Sequence, residues 1–238
     1  MISRKHITLG YHFPDMVKTV LVTGASGGIG RETAELFEDR GWKVYGTSRN
    51  PDDTDVAGIP LELDVTDADS VENAVARVIE EQGHIDVLVN NAGVGKYGAV
   101  EEVPMDEMQH EFGVNVFGPV RMVQEVLPYM REREEGTIIN VSSLAGRLSS
   151  PAMGIYAGSK FALEGITDAL RVEVSDFGIN VVLIEPGPVD TGFGEEAKRP
   201  KARYNVTVPF GLMKAGEHAP ARVQDFVQKR VFSEADDS

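Results

Sequence analysis

A tyrosine and a lysine four residues apart form the side-chain pair in this sequence with the clearest chemical potential. Tyr156 and Lys160 fall within a stretch, residues 152–177, whose pattern predicts a long helix, and residues four apart share one helix face. A nearby ammonium group stabilises a phenolate and lowers the tyrosine pKa from its ordinary value of about 10. The pair therefore suits a general acid/base, although the spacing alone is more typical of a solvated helix face.

Two serines precede this tyrosine by thirteen and fourteen residues. Ser143 and Ser142 lie at the end of an apolar run that predicts a strand over residues 137–142. In a parallel α/β sheet, the carboxyl end of a strand and the beginning of the next helix meet at one crevice. A serine hydroxyl in this position can hold a substrate oxygen beside the phenol of Tyr156.

A glycine-rich segment over residues 23–30 follows the first predicted strand and opens a helix. Its spacing from residue 24 is Gly-x-x-x-Gly-x-Gly. Glycine permits positive φ and close approach of backbone N–H groups to a ligand, and the helix start adds partial positive charge that suits a pyrophosphate. The segment predicts a dinucleotide-binding turn, with a plain strand–helix turn as the alternative. The candidate contacts are Gly24, Ser26, Gly28, Ile29 and Gly30.

The end of the second predicted strand indicates which dinucleotide binds. A carboxylate at this point binds the ribose 2′-hydroxyl of NAD(H), whereas an arginine accommodates the 2′-phosphate of NADP(H). Here Arg49 is the first charged residue, and the nearest acids, Asp52 and Asp53, follow Pro51. The sequence therefore favours NADP(H) over NAD(H), unless Arg49 is simply a solvated loop charge.

Apolar segments rich in valine, isoleucine and leucine alternate with longer amphipathic segments along the chain. Strands that are apolar on both faces and alternate with helices indicate a parallel sheet covered on both sides. The sequence predicts a doubly wound, Rossmann-like α/β fold with a mostly parallel sheet of six to seven strands and helices on both faces. Strands are predicted at residues 19–23, 43–47, 59–63, 85–90, 137–142, 180–185 and 203–208, and helices at 31–40, 68–82, 104–134 (bent near 118–119) and 152–177.

The same pattern predicts one catalytic domain over residues 17–238, preceded by an extension over residues 1–16. This extension is a tag, an upstream start ahead of Met16, or a genuine arm. No stretch approaches the roughly 20 apolar residues of a membrane span, and no apolar run follows Arg4 and Lys5 as in a signal peptide. We therefore expect a cytoplasmic protein.

Composition excludes several other kinds of site. The 238 residues include no cysteine, so disulfides and thiolate chemistry are excluded, and the five histidines are scattered without metal-ligand spacing. We expect no metal. The net charge of −15 should repel nucleic acids and anionic lipids, so the expected partner is a small-molecule substrate.

The acidic residues are dispersed along the chain, which leaves two explanations for the net charge. They form an ordinary well-solvated surface, or they are an adaptation to high salt, where screening removes their self-repulsion. The second explanation predicts that the melting temperature rises from low to molar salt. A melting temperature that falls or stays level over that series would rule it out.

In order and spacing these features resemble those of the short-chain dehydrogenases/reductases. The resemblance covers about residues 18–192. Each motif alone is modest, but together they are highly specific. The matching positions are residues 23–30, Asp64, residues 90–93, Asn115, Ser143, Tyr156, Lys160, residues 186–187 and Thr191.

The resemblance implies an NADP(H)-dependent oxidoreductase that interconverts a carbonyl compound and its alcohol. Tyr156 would exchange the proton with the reacting oxygen, and Ser143 rather than Ser142 would orient that oxygen. Lys160 would hydrogen-bond the nicotinamide ribose and lower the tyrosine pKa. Asn115 would hold a water in a proton relay, or alternatively only fill backbone hydrogen bonds at a helix kink.

Further cofactor contacts are implied along the crevice. Asp64 would contact the adenine, while Asn91 and Gly93 would line the middle of the cofactor cleft. Val189 and Thr191 would meet the nicotinamide carboxamide. Asp64 and Thr191 could instead simply cap the turns that follow them.

The resemblance is weakest after the last matched motif. The segment around residues 192–202 is short for the usual substrate lid. Residues 159–165 and 181–188 are similar to those of members that act on retinoid, steroid or other lipophilic alcohols. A homodimer or homotetramer is implied, through the helices near 105–134 and 152–177. The alternative function is a non-catalytic dinucleotide sensor or scaffold on the same fold.

Overall fold

The computed structural model describes residues 17–52 and 55–187 and contains one parallel sheet in this part of the chain. Its strand order is β3-β2-β1-β4-β5-β6, and every neighbouring pair runs parallel. This order is the doubly wound arrangement that the sequence predicts. The strands are β1 Thr19–Val22, β2 Lys43–Ser48, β3 Ile59–Glu62, β4 Val87–Asn90, β5 Gly136–Val141 and β6 Ile179–Ile184.

Helices cover both faces of the sheet, because its strands are apolar on both sides. On one face, Leu21 and Ile138 pack in a cluster with residues of the second, fourth and fifth helices. On the other face, Val22 and Ile139 pack with Phe37 of the first helix. The helices are α1 Gly28–Glu38, α2 Ala68–Gln82, α3 Met105–Phe112, α4 Gly118–Arg133 and α5 Gly154–Glu173.

The region predicted as one bent helix over residues 104–134 consists of α3, a π-helical turn at Gly113–Phe117, and α4. Proline has no backbone N–H, so Pro119 cannot donate to the carbonyl of Asn115, four residues earlier. The Gly118 N–H instead reaches back five residues to the Gly113 carbonyl. The bend therefore lies before Gly118, and it contains Asn115.

Other boundaries differ by a few residues from the predicted ones. The first helix begins at Gly28 instead of residue 31, because the glycine turn runs directly into it. The fifth ends at Glu173 instead of residue 177 and is followed by a 3-10 turn, Ser175–Phe177. The predicted strand at 203–208, the extension over 1–16 and the short segment around 192–202 lie outside the described residues, so the single-domain boundaries stay a prediction.

The strand order reverses between β1 and β4. From β1 the chain continues to β2 and β3 on one side of the sheet, and from β4 it continues to β5 and β6 on the other side. Ligands of such sheets bind beyond the carboxyl ends of the strands at this switch point. The glycine-rich turn after β1 and Asn91 after β4 meet here. Among the described residues, no helix is long and apolar enough to cross a bilayer.

Candidate active site

The glycine turn between β1 and α1 is held in place by a side chain from the neighbouring strand end. Gly24 has φ of +69°, a conformation that glycine adopts without strain. Asn91 Nδ2 donates to the carbonyl oxygens of Thr23 at 2.9 Å and Gly24 at 3.0 Å. A side chain at Gly30 would overlap both the Gly24 carbonyl and this amide. Asn91 therefore fixes the turn's backbone.

The start of α1 has the properties of a pyrophosphate site. Within the described residues, no side chain caps this helix, whose N-cap is Gly27, although the first N–H groups of a helix lack intrahelical partners. Its first turn carries no acid, and the helix dipole favours an anion there. Ser26 is exposed beside it, with Gly28 and Ile29 partly exposed. These residues fit the phosphates of a dinucleotide.

Arg49 lies where the sequence places it, exposed immediately after β2. Its charge acts on Asp64, which follows β3. Burial alone would raise the pKa of Asp64, but hydrogen bonds from Thr66, aided by Arg49 and His110, hold it below the ordinary value. Both candidate adenosine contacts therefore stand at the same end of neighbouring strands.

One oxygen of the Asp64 carboxylate already accepts hydrogen bonds from its own loop. Its Oδ1 accepts from the backbone N–H of Thr66 at 2.8 Å and from the Thr66 hydroxyl at 2.7 Å. This is the turn-capping contact that the sequence leaves open for Asp64. The cap of the following helix is Asp67, which accepts from the N–H groups of Asp69 and Ser70, so the contact of Asp64 with adenine stays a prediction.

The two serines after β5 have different surroundings. Ser143 is partly exposed, its Oγ accepts from the Ala145 N–H at 3.1 Å, and its hydroxyl lies close enough to the phenol of Tyr156 to lower the pKa of that phenol. Ser142 is buried and faces the carboxyl of Glu164. The structure thus brings Ser143, and not Ser142, to the phenol.

The phenol of Tyr156 is 6% exposed, and its environment favours the protonated form. Burial raises its pKa to about 12, the neighbouring Ser143 hydroxyl lowers it, and Tyr97 and Glu111 raise it further. This direction is opposite to the lowering expected from Lys160. The ammonium of Lys160 lies 5.9 Å from the ring centroid and donates a hydrogen bond to the Val141 carbonyl.

Lys160 is almost completely buried behind the tyrosine. Its Nζ donates to the Val141 carbonyl at 2.9 Å. Burial lowers its pKa to about 8, while the carboxylates of Glu111 and Glu164 act in the opposite direction. Gly93 lies against this ammonium, because a methyl group there would come within 3.7 Å of Nζ.

Asn115 is fully buried and ties three segments together. Its Oδ1 accepts from the Val94 N–H at 2.9 Å, and its Nδ2 donates to the Val94 carbonyl at 2.8 Å. Nδ2 also donates to the Ser159 hydroxyl at 3.0 Å, which donates to the Tyr156 carbonyl. The side chain thus positions the loop after β4 against α5, and its position in a π-turn fits the kink role as well.

Comparison with known proteins identifies the family. The family model described as short chain dehydrogenase matches residues 18–202. The chain belongs to the short-chain dehydrogenase family. A 3-ketodihydrosphingosine reductase of Bacteroides thetaiotaomicron is 47% identical over 174 residues, which make up 73% of this chain and 65% of that protein. This short-chain dehydrogenase therefore spans just under two thirds of that relative's length.

A second relative and three solved structures extend the comparison. An NADPH-dependent 3-dehydrocapnine reductase of Ornithobacterium rhinotracheale is 39% identical over 196 residues, or 76% of this chain and 69% of its own. A short-chain dehydrogenase from Streptomyces avermitilis superposes with a TM-score of 0.82 at 35% identity, covering 92% of this chain and 85% of that one.

The other two structures contain cofactors of different kinds. A gluconate 5-dehydrogenase from Burkholderia cenocepacia, in complex with NADP and tartrate, has a TM-score of 0.70 at 26% identity and covers 74% of this chain and 73% of its own. A short-chain dehydrogenase/reductase from Burkholderia phymatum, in complex with NAD, has a TM-score of 0.77 at 28% identity, and the match covers 92% of this chain and 87% of that one. Neighbours of this short-chain dehydrogenase therefore bind either dinucleotide.

The structure also adds residues to the site that the sequence analysis does not single out. Tyr97 packs edge-on against Tyr156, with ring centroids 6.1 Å apart. Glu111 is fully buried one helical turn before Asn115. The four-residue spacing from Asn115 is the one sequence signal that could have pointed to Glu111. Of the predicted positions in this short-chain dehydrogenase, Val189 and Thr191 lie outside the described residues.

Proposed function

We propose that this protein is an NADP(H)-dependent oxidoreductase that interconverts a carbonyl compound and its alcohol, with Tyr156 as general acid/base. The observation that carries the proposal is the position of the Ser143 hydroxyl next to the phenol of Tyr156, beside a buried Lys160. Ser143 can hold the reacting oxygen while the phenol exchanges a proton with it. Asn115 positions the segment between the phenol and Lys160.

The cofactor, when bound, supplies the hydride, and the protein supplies position and the proton. The glycine turn and the α1 N-terminus would hold the phosphates, and Arg49 would meet the 2′-phosphate. Asp64 would contact the adenine, and Asn91 and Gly93 would line the cleft. By family resemblance, Lys160 and Tyr156 would contact the nicotinamide ribose, and Val189 and Thr191 the carboxamide.

The protonation state of Tyr156 supports activity as a reductase. With its pKa raised to about 12 by burial, the phenol holds its proton at neutral pH. Reduction of a carbonyl requires a proton donor at the new alkoxide oxygen. The chain's own electrostatics therefore favour proton donation.

The surroundings of the phenol support a lipophilic substrate. Leu144 directly follows Ser143 and is 40% exposed, Leu148 lies four residues further along and is 56% exposed, and the ring of Tyr97 lies against Tyr156. Two relatives are named for reducing 3-ketodihydrosphingosine and 3-dehydrocapnine. We propose a lipophilic ketone or its alcohol as substrate.

A panel of carbonyl compounds tests this proposal. NADPH and NADH oxidation would be followed separately with aliphatic, aromatic and long-chain ketones and aldehydes, at low and at high salt. The proposal expects turnover that is fastest with NADPH and an apolar ketone. Cofactor binding without turnover of any member would favour the non-catalytic sensor.

Cofactor choice provides a separate prediction at Arg49. Replacing Arg49 with aspartate should lower the NADPH-to-NADH ratio of kcat/KM by about 30-fold or more, because a charge-assisted contact with the 2′-phosphate is lost and a repulsive charge is gained. Arg49→Gln should give an intermediate ratio. An unchanged ratio in the aspartate variant would show that Arg49 is only a solvated loop charge.

The two serines provide a matched pair of variants. Ser143→Ala should lower kcat by about 10²-fold, since it removes the hydroxyl that contacts the phenol and orients the substrate oxygen. Ser142→Ala should keep kcat within about threefold and change the unfolding free energy by no more than about 1 kcal/mol, because the buried Ser142 hydroxyl has no hydrogen-bond partner among the described residues. Steady-state kinetics and urea unfolding of both variants check this. The reverse pattern would assign the role to Ser142.

We also propose a homodimer or homotetramer through α4 and α5. Phe117, just before α4, and Phe161, on α5, are 53% and 48% exposed, and large apolar side chains on neighbouring surfaces are typical of subunit contacts. Sedimentation of the full chain distinguishes a monomer from either assembly.

A further inference from the structure

A buried carboxyl group without a role in the proposed reaction lies beside the catalytic residues. Glu111, on α3, has no exposed surface. Its Oε2 accepts from the Lys96 N–H at 3.0 Å, while its Oε1 has no hydrogen-bond partner among the described residues. A buried polar atom without a partner costs stability, so this position calls for an explanation beyond packing.

The hydrogen bond that Glu111 accepts from the Lys96 N–H does not require a negative charge on Glu111. The amide oxygen of a glutamine could accept from the Lys96 N–H equally well. A carboxylate differs from an amide by its negative charge and by its ability to bind a proton. The negative charge is therefore the property of Glu111 that neighbouring titratable groups can respond to.

Charged and titratable groups face Glu111 from two segments. The loop after β4, which donates the Lys96 N–H to Glu111, contributes Lys96 and Tyr97, and α5, which packs against α3, contributes Lys160 and Tyr156. The negative charge of Glu111 raises the pKa of Lys160 and that of Tyr156. Burial in turn raises the pKa of Glu111 to about 7, against the opposing effects of the Lys96 N–H, Lys160 and Lys96.

The other carboxylate that acts on Lys160 has partners of its own. Glu164 faces Ser142, and its Oε2 lies 3.2 Å from Arg147 Nε. Its charge is therefore paired with that of a surface arginine. Glu111 lacks such an arginine among the described residues, which leaves it as the less balanced anion next to the site.

We propose that Glu111 is a positioning residue for proton transfer, whose buried negative charge keeps Lys160 and the phenol of Tyr156 protonated up to alkaline pH. Glu111 acts through these two groups and touches neither substrate nor cofactor. The inference rests on the proposed function, because reduction needs the phenolic proton. No bond changes at Glu111 itself.

The pH dependence of carbonyl reduction tests this inference. Removing the negative charge with Glu111→Gln lowers the pKa of both neighbours, so the alkaline decline of kcat should move to lower pH by about one unit. At pH values below the decline, kcat should stay within about threefold of wild type. Glu111→Asp keeps the charge and should restore most of the alkaline limit, which a purely structural role would not explain.

A matched control comes from the same helix. Asp106→Asn removes an exposed carboxylate of α3 and should leave the alkaline limit unchanged, since solvent screens surface charges. An alkaline limit that is the same in Glu111→Gln and in wild type would overturn the inference. Absence of turnover by the wild-type protein would instead contradict the proposed function, and this inference with it.

A stability measurement tests the titration of Glu111 without catalysis. Its pKa in the folded protein lies above the ordinary carboxyl value of 4.5 and near 7, so the folded state holds a proton that the unfolded state has released. Stability should therefore fall as pH rises through this window, and Glu111→Gln should escape that fall. The melting temperature of Glu111→Gln should rise relative to that of wild type between pH 5 and pH 7.5; a constant difference over this range would contradict the titration of Glu111 near neutral pH.

Discussion

Replacing Tyr156 with phenylalanine is expected to lower kcat for carbonyl reduction by about 10³-fold. The substitution removes the hydroxyl that lies next to Ser143 and would protonate the substrate oxygen. It keeps the ring, which packs against Tyr97. NADPH affinity should therefore change by less than about tenfold, and the loss should appear in the chemical step.

Steady-state kinetics and fluorescence titration with NADPH measure the two effects separately. Tyr129→Phe is the matched control, because Tyr129 lies at the surface on α4 and is 36% exposed. This control should turn over like the wild type. Near-normal reduction by Tyr156→Phe would show that another group donates the proton.

The second large effect is expected at Gly30, in the first turn of α1. An added methyl group there would overlap the Gly24 carbonyl oxygen and Asn91 Nδ2. Both atoms belong to the hydrogen bonds that fix the glycine turn. Gly30→Ala should therefore cost about 2–4 kcal/mol of unfolding free energy, and because the turn must move, NADPH affinity should fall by at least about 10-fold.

Thermal melting and NADPH titration check both parts of this result. Gly165→Ala is the control, because nothing lies within 4 Å of a methyl group at that exposed helical position. Alanine favours a helix over glycine by roughly 0.5–1 kcal/mol, so the control should be as stable as wild type or slightly more stable. A Gly30→Ala protein with normal affinity and stability would contradict the proposed role of the turn.

The strands could be predicted well because each is a short apolar run between clear turn signals. The six that the structure describes lie within a few residues of their predicted positions, and their order follows the doubly wound pattern. The helix boundaries that differ from the predicted ones depend on local hydrogen bonding. The π-turn at Gly113–Phe117 depends on hydrogen-bond register around Pro119, which apolar periodicity does not report.

The candidate site could be predicted where a residue's role follows from its place on an element. Ser143 and Tyr156 stand at a strand end and near a helix start, and the structure brings their hydroxyls together. The direction of the tyrosine pKa could not be predicted, because it depends on burial and on where Lys160 points. Glu111 and Tyr97 were missed, since their proximity arises from packing between α3, α5 and the loop after β4.

The central claim is that the phenol of Tyr156 delivers the proton in an NADPH-dependent carbonyl reduction. Single-turnover reactions of wild type and Tyr156→Phe, each loaded with NADPH and mixed with the best ketone from the panel, test it most directly. We expect one alcohol formed per NADPH oxidised by wild type, and about 10³-fold slower formation by the variant at equal cofactor occupancy. Equal rates in the two proteins, or bound NADPH that no carbonyl consumes, would contradict it.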